Sequence, residues 1–120
     1  MVTFFKSLSF AVSGIRWVVA GQRNMKFHIL AALLVLAAAV LFRISPLEMA
    51  LVLVAIAMVM VAEVINTAIE STVDLITTER HPLAGRAKDA AAGAVLLAVI
   101  FSAAIGFIVF MPRIWRILLQ

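Results

Sequence analysis

The chain has 120 residues, 66% hydrophobic and 13% charged, with a mean hydropathy of +1.20, a net charge of +4 and no cysteine. A soluble domain of this size cannot hide so much apolar surface in its own core, so the composition requires a membrane. The absence of thiols excludes disulfides and thiolate metal sites, leaving carboxylate, amide and imidazole as the available metal ligands.

The basic residues flank apolar runs instead of forming a face with interleaved aromatics, which suits anionic lipid headgroups better than nucleic acid. No cleavage pattern follows the first strongly apolar run, and the chain is expected to stay whole. With no internal repeat and no second domain visible, residues 1–120 read as a single all-α membrane domain.

Residues 1–24 carry Phe4, Phe5, Leu8, Val12, Ile15 and Val19 at helical spacing, with Lys6, Ser9, Ser13 and Arg16 on the other side. That pattern predicts an amphipathic helix lying in the membrane interface. Residues 27–42 predict a first, short transmembrane helix, apolar except for His28, which reads as a hydrogen-bonded interfacial histidine rather than a metal ligand. The break at 43–46 ends in Pro46, well placed to open a second span over 47–76. Thr77 to Gly85 reads as a loop. A third span follows within 86–112, where Gly93 and several alanines offer small faces for helix packing. Trp17 and Trp115 read as interface anchors.

Counting Lys and Arg near the span ends fixes an expected orientation. Lys6, Arg16, Arg23, Lys26, Arg80, Arg86 and Lys88 share one side, against Arg43, Arg113 and Arg116 on the other. Seven against three places the N-terminal segment and the second loop in the cytoplasm.

Glu63, Asn66, Glu70 and Asp74 recur at steps of three and four within the second span. Such steps return each side chain to about the same azimuth of a helix, so these groups project as one stripe running from cytoplasm toward lipid. Ionisable groups inside a membrane segment are costly and usually functional. The geometry suits a reaction that joins a charged, water-soluble substrate to a membrane-buried one. For phosphoryl transfer, Glu70 can hold a metal, Lys88 can meet phosphate, and Glu63 can receive a hydroxyl proton. Walker-type and kinase-type glycine-rich motifs are absent, so a nucleotide site must be built differently. The role of Asp74 stays open.

The run Glu63-Val-Ile-Asn66-Thr-Ala-Ile-Glu70-Ser-Thr-Val-Asp74, followed by His81-Pro-Leu-Ala-Gly85-Arg86-Ala-Lys88-Asp89, resembles the signature of the small prokaryotic diacylglycerol kinase and undecaprenol kinase family. The resemblance covers nearly the whole chain. It implies a homotrimer of three-span subunits in the bacterial inner membrane, each with an amphipathic surface helix, and composite sites facing the cytoplasm. ATP would be the co-substrate and Mg2+ the cation. Glu63 matches the family's catalytic base and Glu70 a metal ligand, while Asn66, Lys88 and Asp89 match the nucleotide and phosphate site. His81, Gly85 and Arg86 fall in the motif around it.

Gln22 falls where the family usually carries a glutamate that helps Glu70 bind the cation, which removes a full negative charge from a hard-cation site. Arg23-Asn24 with His28, together with the runs around Glu70 and Lys88, look more like the undecaprenol kinase branch than the diacylglycerol kinase branch. Two other classes stand beside the kinase. A small proton-coupled membrane transporter also needs an embedded carboxylate, and a non-catalytic, lipid-binding family member would suit Gln22.

Overall fold

A computed structural model of the chain describes residues 3–119. Helices α1 (Phe4–Gly21), α2 (Arg23–Leu41), α3 (Pro46–Ile76) and α4 (Pro82–Leu118) follow one another with short connections. The last three are long and apolar enough to cross a membrane, and the chain is a multi-pass integral membrane protein. At 31 and 37 residues, α3 and α4 reach about 46 and 55 Å, more than the bilayer core of about 30 Å requires. Their ends therefore stand in water or headgroups.

The connections follow from local chemistry. Gln22 is a single extended residue that caps α1 at its C-terminus and α2 at its N-terminus. The surface helix expected over 1–24 thus breaks at residue 22, and its first two residues lie outside the described ones. At the end of α2, Arg43 adopts a positive φ of 49° while Ile44 N–H donates back to Ala39 C=O at 3.2 Å. This is the left-handed C-terminal cap usually given to glycine. Ser45 then opens α3 with a reciprocal capping box: its Oγ accepts from Glu48 N–H and its own N–H donates to Glu48 Oε2. Pro46 occupies the first helical position, where its missing N–H costs nothing.

The sequence places a loop through Gly85, yet α4 begins at Pro82. His81 Nδ1 accepts from Leu83 N–H at 3.1 Å and acts as the cap, a task that Ser, Thr, Asp or Asn more often performs. At the other end α4 continues through Pro112 to Leu118.

Helices α3 and α4 form an antiparallel hairpin. Asp74 with Lys88, Ala55 with Ser102 and Glu48 with Arg113 join residues progressively farther from the turn. Ser102 Oγ donates to Ala55 C=O at 2.9 Å, and the buried apolar residues of the two helices are Val52, Ala55 and Val59 on α3 and Ala91, Ala98 and Val109 on α4. Small and β-branched residues here let the backbones approach closely, as packing within lipid favours. Gly93 does not join this contact, since an added Cβ would meet nothing within 4 Å. Helix α2 packs along α3, and its buried residues are Met25 and Ala39. Leu33, Leu34, Leu97, Phe101 and Phe107 point outward, an arrangement hydrocarbon tolerates and water does not.

Candidate functional site

The inner face of α3 carries the buried polar side chains of the described residues: Glu63 at 2% exposure, Asn66 at 6% and Thr67 at 1%. One turn on, Glu70 is half-buried, and Asp74 is exposed. The stripe expected from spacing is therefore a gradient from a buried carboxylate to a solvated one. It rises about 16 Å along the helix. Thr67 spends its hydroxyl on Glu63 C=O at 2.9 Å, a local bond that leaves the Glu63 carboxylate uninvolved.

That carboxylate faces α2. His28 Nε2 lies 3.8 Å from Glu63 Oε2, and the imidazole is itself mostly covered. The sequence reading gave His28 no partner on α3. The available signal was that two isolated polar groups in adjacent apolar spans lower their cost by meeting. His28 also stands at the head of a cavity of about 260 Å3 between α2, α3 and α4, walled by residues such as Ala31, Val35, Ala55, Val59, Gly106 and Phe110. His28 thus borders both the Glu63 carboxylate and an apolar space within the span.

Asn66 Oδ1 is buried and lacks a hydrogen-bond partner among the described residues. An orphaned acceptor at this depth is costly unless something supplied from outside the single chain completes it. Asn66 and Gln22 amide oxygens and the Glu70 carboxylate are hard donors of the type Mg2+ accepts. No cluster of three His, Cys, Asp or Glu side chains occurs among the described residues. By donor chemistry these amide and carboxylate oxygens would suit a hard divalent cation.

A second cavity, of about 470 Å3, opens at the α3–α4 turn, and His81, Gly85, Lys88, Asp74, Thr77 and Glu79 line it. Lys88 Nζ is ion-paired there to Asp74 Oδ1. Of the candidate residues in the second motif, His81, Gly85 and Lys88 come together at this cavity, whereas Arg86 and Asp89 are exposed outside its lining. Glu63, Asn66 and Glu70 do not reach it. The two sequence motifs thus meet through Asp74 and Lys88.

Three apolar helices, a polar stripe on α3 that runs from a buried carboxylate to an exposed one, and a charged turn between α3 and α4 describe a membrane protein with polar chemistry inside its span. Residues 9–110 match the family model described as prokaryotic diacylglycerol kinase, and the chain belongs to that family. It is a lipid kinase, with a nucleotide as the implied co-substrate. It is 44% identical to an undecaprenol kinase of Bacillus subtilis over 111 residues, covering 92% of this chain and 90% of that one. It is 38% identical to a diacylglycerol kinase of Synechocystis, covering 88% of this chain and 61% of the relative. A diacylglycerol kinase of Escherichia coli is 33% identical over 79% of this chain and 78% of its own length.

Proposed function

We propose that this lipid kinase transfers the γ-phosphate of ATP, with Mg2+, to the hydroxyl of undecaprenol in preference to diacylglycerol. The burial of Glu63 at one end of a polar stripe that reaches water at the other carries this reading. A lipid alcohol can present its hydroxyl at the buried end while a nucleotide stays in solvent. The 44% identity to an undecaprenol kinase across nine-tenths of both chains supports the acceptor, as do Arg23, Asn24 and His28.

In this mechanism the acceptor oxygen attacks the γ-phosphorus, its proton passes to the Glu63 carboxylate, and ADP leaves with the bridging oxygen. A divalent cation held by Glu70, with the Asn66 and Gln22 amides beside it, would neutralise charge on the phosphates. Lys88 steadies the phosphate from α4, with His81, Gly85, Arg86 and Asp89 around the nucleotide. The functional unit is a homotrimer in the bacterial inner membrane. Its α1 lies in the interface, where the outward Phe4, Phe5, Leu8 and Ile15 meet acyl chains, and its sites face the cytoplasm. A single domain spans 1–120.

Phosphate transfer from labelled ATP in mixed micelles, with undecaprenol and diacylglycerol offered together, tests this reading. Label in undecaprenol phosphate, lost in Glu63→Gln and Glu70→Ala, is the expected result. Equal or greater label in phosphatidic acid would overturn the acceptor, and full activity of Glu63→Gln would overturn the base.

A further inference from the structure

We infer that His28 is a positioning residue for Glu63, a role that rests on the reading of Glu63 as the group that takes the hydroxyl proton. Glu63 is almost wholly buried, and among the described residues its side-chain neighbour of opposite potential charge is the imidazole, 3.8 Å away on a different helix. An ionised carboxylate in such a place is sustained only by a partner of complementary charge or by a hydrogen-bond donor. The separation exceeds a hydrogen bond, and catalytic contacts of this kind commonly tighten once substrate is seated.

The placement of the ring limits what else it does. His28 comes from the first turns of α2, just beyond the extended Gln22, and its ring forms the polar head of the apolar cavity between α2, α3 and α4. Its Nε2 edge faces Glu63 Oε2. Helix α2 therefore presents one charged-capable atom to the carboxylate and an apolar wall below it. Rotation of Glu63 away from the stripe would break this contact, and the imidazole therefore selects the carboxylate orientation from which a proton can be received. Transfer itself needs no step through His28: the proton goes to Glu63, the oxygen–phosphorus bond forms, and the β–γ bridging bond breaks.

The two side-chain amides separate this role from simple packing. The glutamine amide nitrogen reaches about as far as imidazole Nε2, whereas the asparagine nitrogen corresponds to Nδ1 and falls short. His28→Asn and His28→Ala are expected to lower kcat on the order of 100-fold, with KM for ATP and for lipid held within about twofold. His28→Gln is expected to recover most of the lost kcat. In a Glu63→Gln background, where residual turnover is followed over long incubations, His28→Ala should cause no further loss. Should the alanine variant fail to fold, the comparison of His28→Gln with His28→Asn carries the test.

Wild-type kcat in His28→Asn, with Glu63→Gln reduced to residual turnover, would overturn the role of His28 and leave that of Glu63 standing. A change confined to lipid KM would make the ring a wall of the cavity, and an equal loss in both backgrounds would make it act independently of Glu63. Full turnover by Glu63→Gln would instead remove the base reading itself.

Discussion

Asp74 on the last turns of α3 holds the Lys88 ammonium of α4 in an ion pair across the water-facing cavity at the helix turn. Both side chains are more than a third exposed, and a pair of that kind contributes only about 0–1 kcal/mol to stability. On the proposed function, its value lies in aiming a flexible lysine. Lys88→Met is expected to raise KM for ATP at least about tenfold, since a phosphate loses a charge-assisted donor. Asp74→Asn should raise it by a smaller factor, about two- to fivefold, with thermal stability unchanged. Steady-state kinetics at saturating lipid separates the two, and an unaltered KM in Lys88→Met would detach this cavity from the nucleotide.

At the opposite end of the hairpin, Arg113 grips both carboxylate oxygens of Glu48 at 2.9 and 2.7 Å and also donates to Val109 C=O. Because Glu48 also closes the capping box with Ser45, one carboxylate ties the start of α3 to the end of α4. Arg113→Ala is expected to lower the thermal midpoint in detergent. Arg113→Lys should lower it less, because it keeps the charge and loses the fork. The surviving folded protein should keep the wild-type KM for ATP, since the latch lies far from the α3–α4 turn. A changed KM alongside a wild-type midpoint would show that this end communicates with the site.

The parts of this arrangement that follow from periodicity within one helix were legible in the sequence. Glu63, Asn66, Glu70 and Asp74 had to share a face of α3 because the helical repeat allows no other outcome. Pro46 marked the start of α3 through its own backbone chemistry, while the Ser45 cap emerged only in the structure. Relations between helices were not legible. The contact of His28 with Glu63 depends on the depth and rotation of α2 against α3, which no spacing within either segment encodes. The pairing of Asp74 with Lys88 required knowing how tightly the chain turns. The start of α4 at Pro82 was hidden because a histidine nitrogen, an uncommon cap, satisfies the first free N–H.

Gln22 holds the sole extended position between α1 and α2 and is half-buried. Gln22→Glu adds a negative charge without changing side-chain length. If the amide sits beside the cation with Glu70, the Mg2+ concentration for half-maximal activity should fall several-fold. A magnesium titration of wild type and variant decides this. Superimposable curves would remove residue 22 from the metal site and leave Glu70 and the nucleotide phosphates as its ligands.

Asn66 links stability and function in opposite directions. Its buried Oδ1 has no partner among the described residues, and such an atom costs free energy that an apolar replacement avoids. Asn66→Leu is expected to keep or raise thermal stability, by up to about 1 kcal/mol, while abolishing phosphate transfer. Natural functional sites often show this exchange of stability for activity. Thermal unfolding in detergent, run beside the labelled-ATP assay, measures both halves. A clear loss of stability would mean that the amide finds a structural partner in the assembled protein, most directly a group from a second copy of the chain. Retained stability with lost transfer would mean that the orphaned oxygen is kept for the nucleotide and its cation.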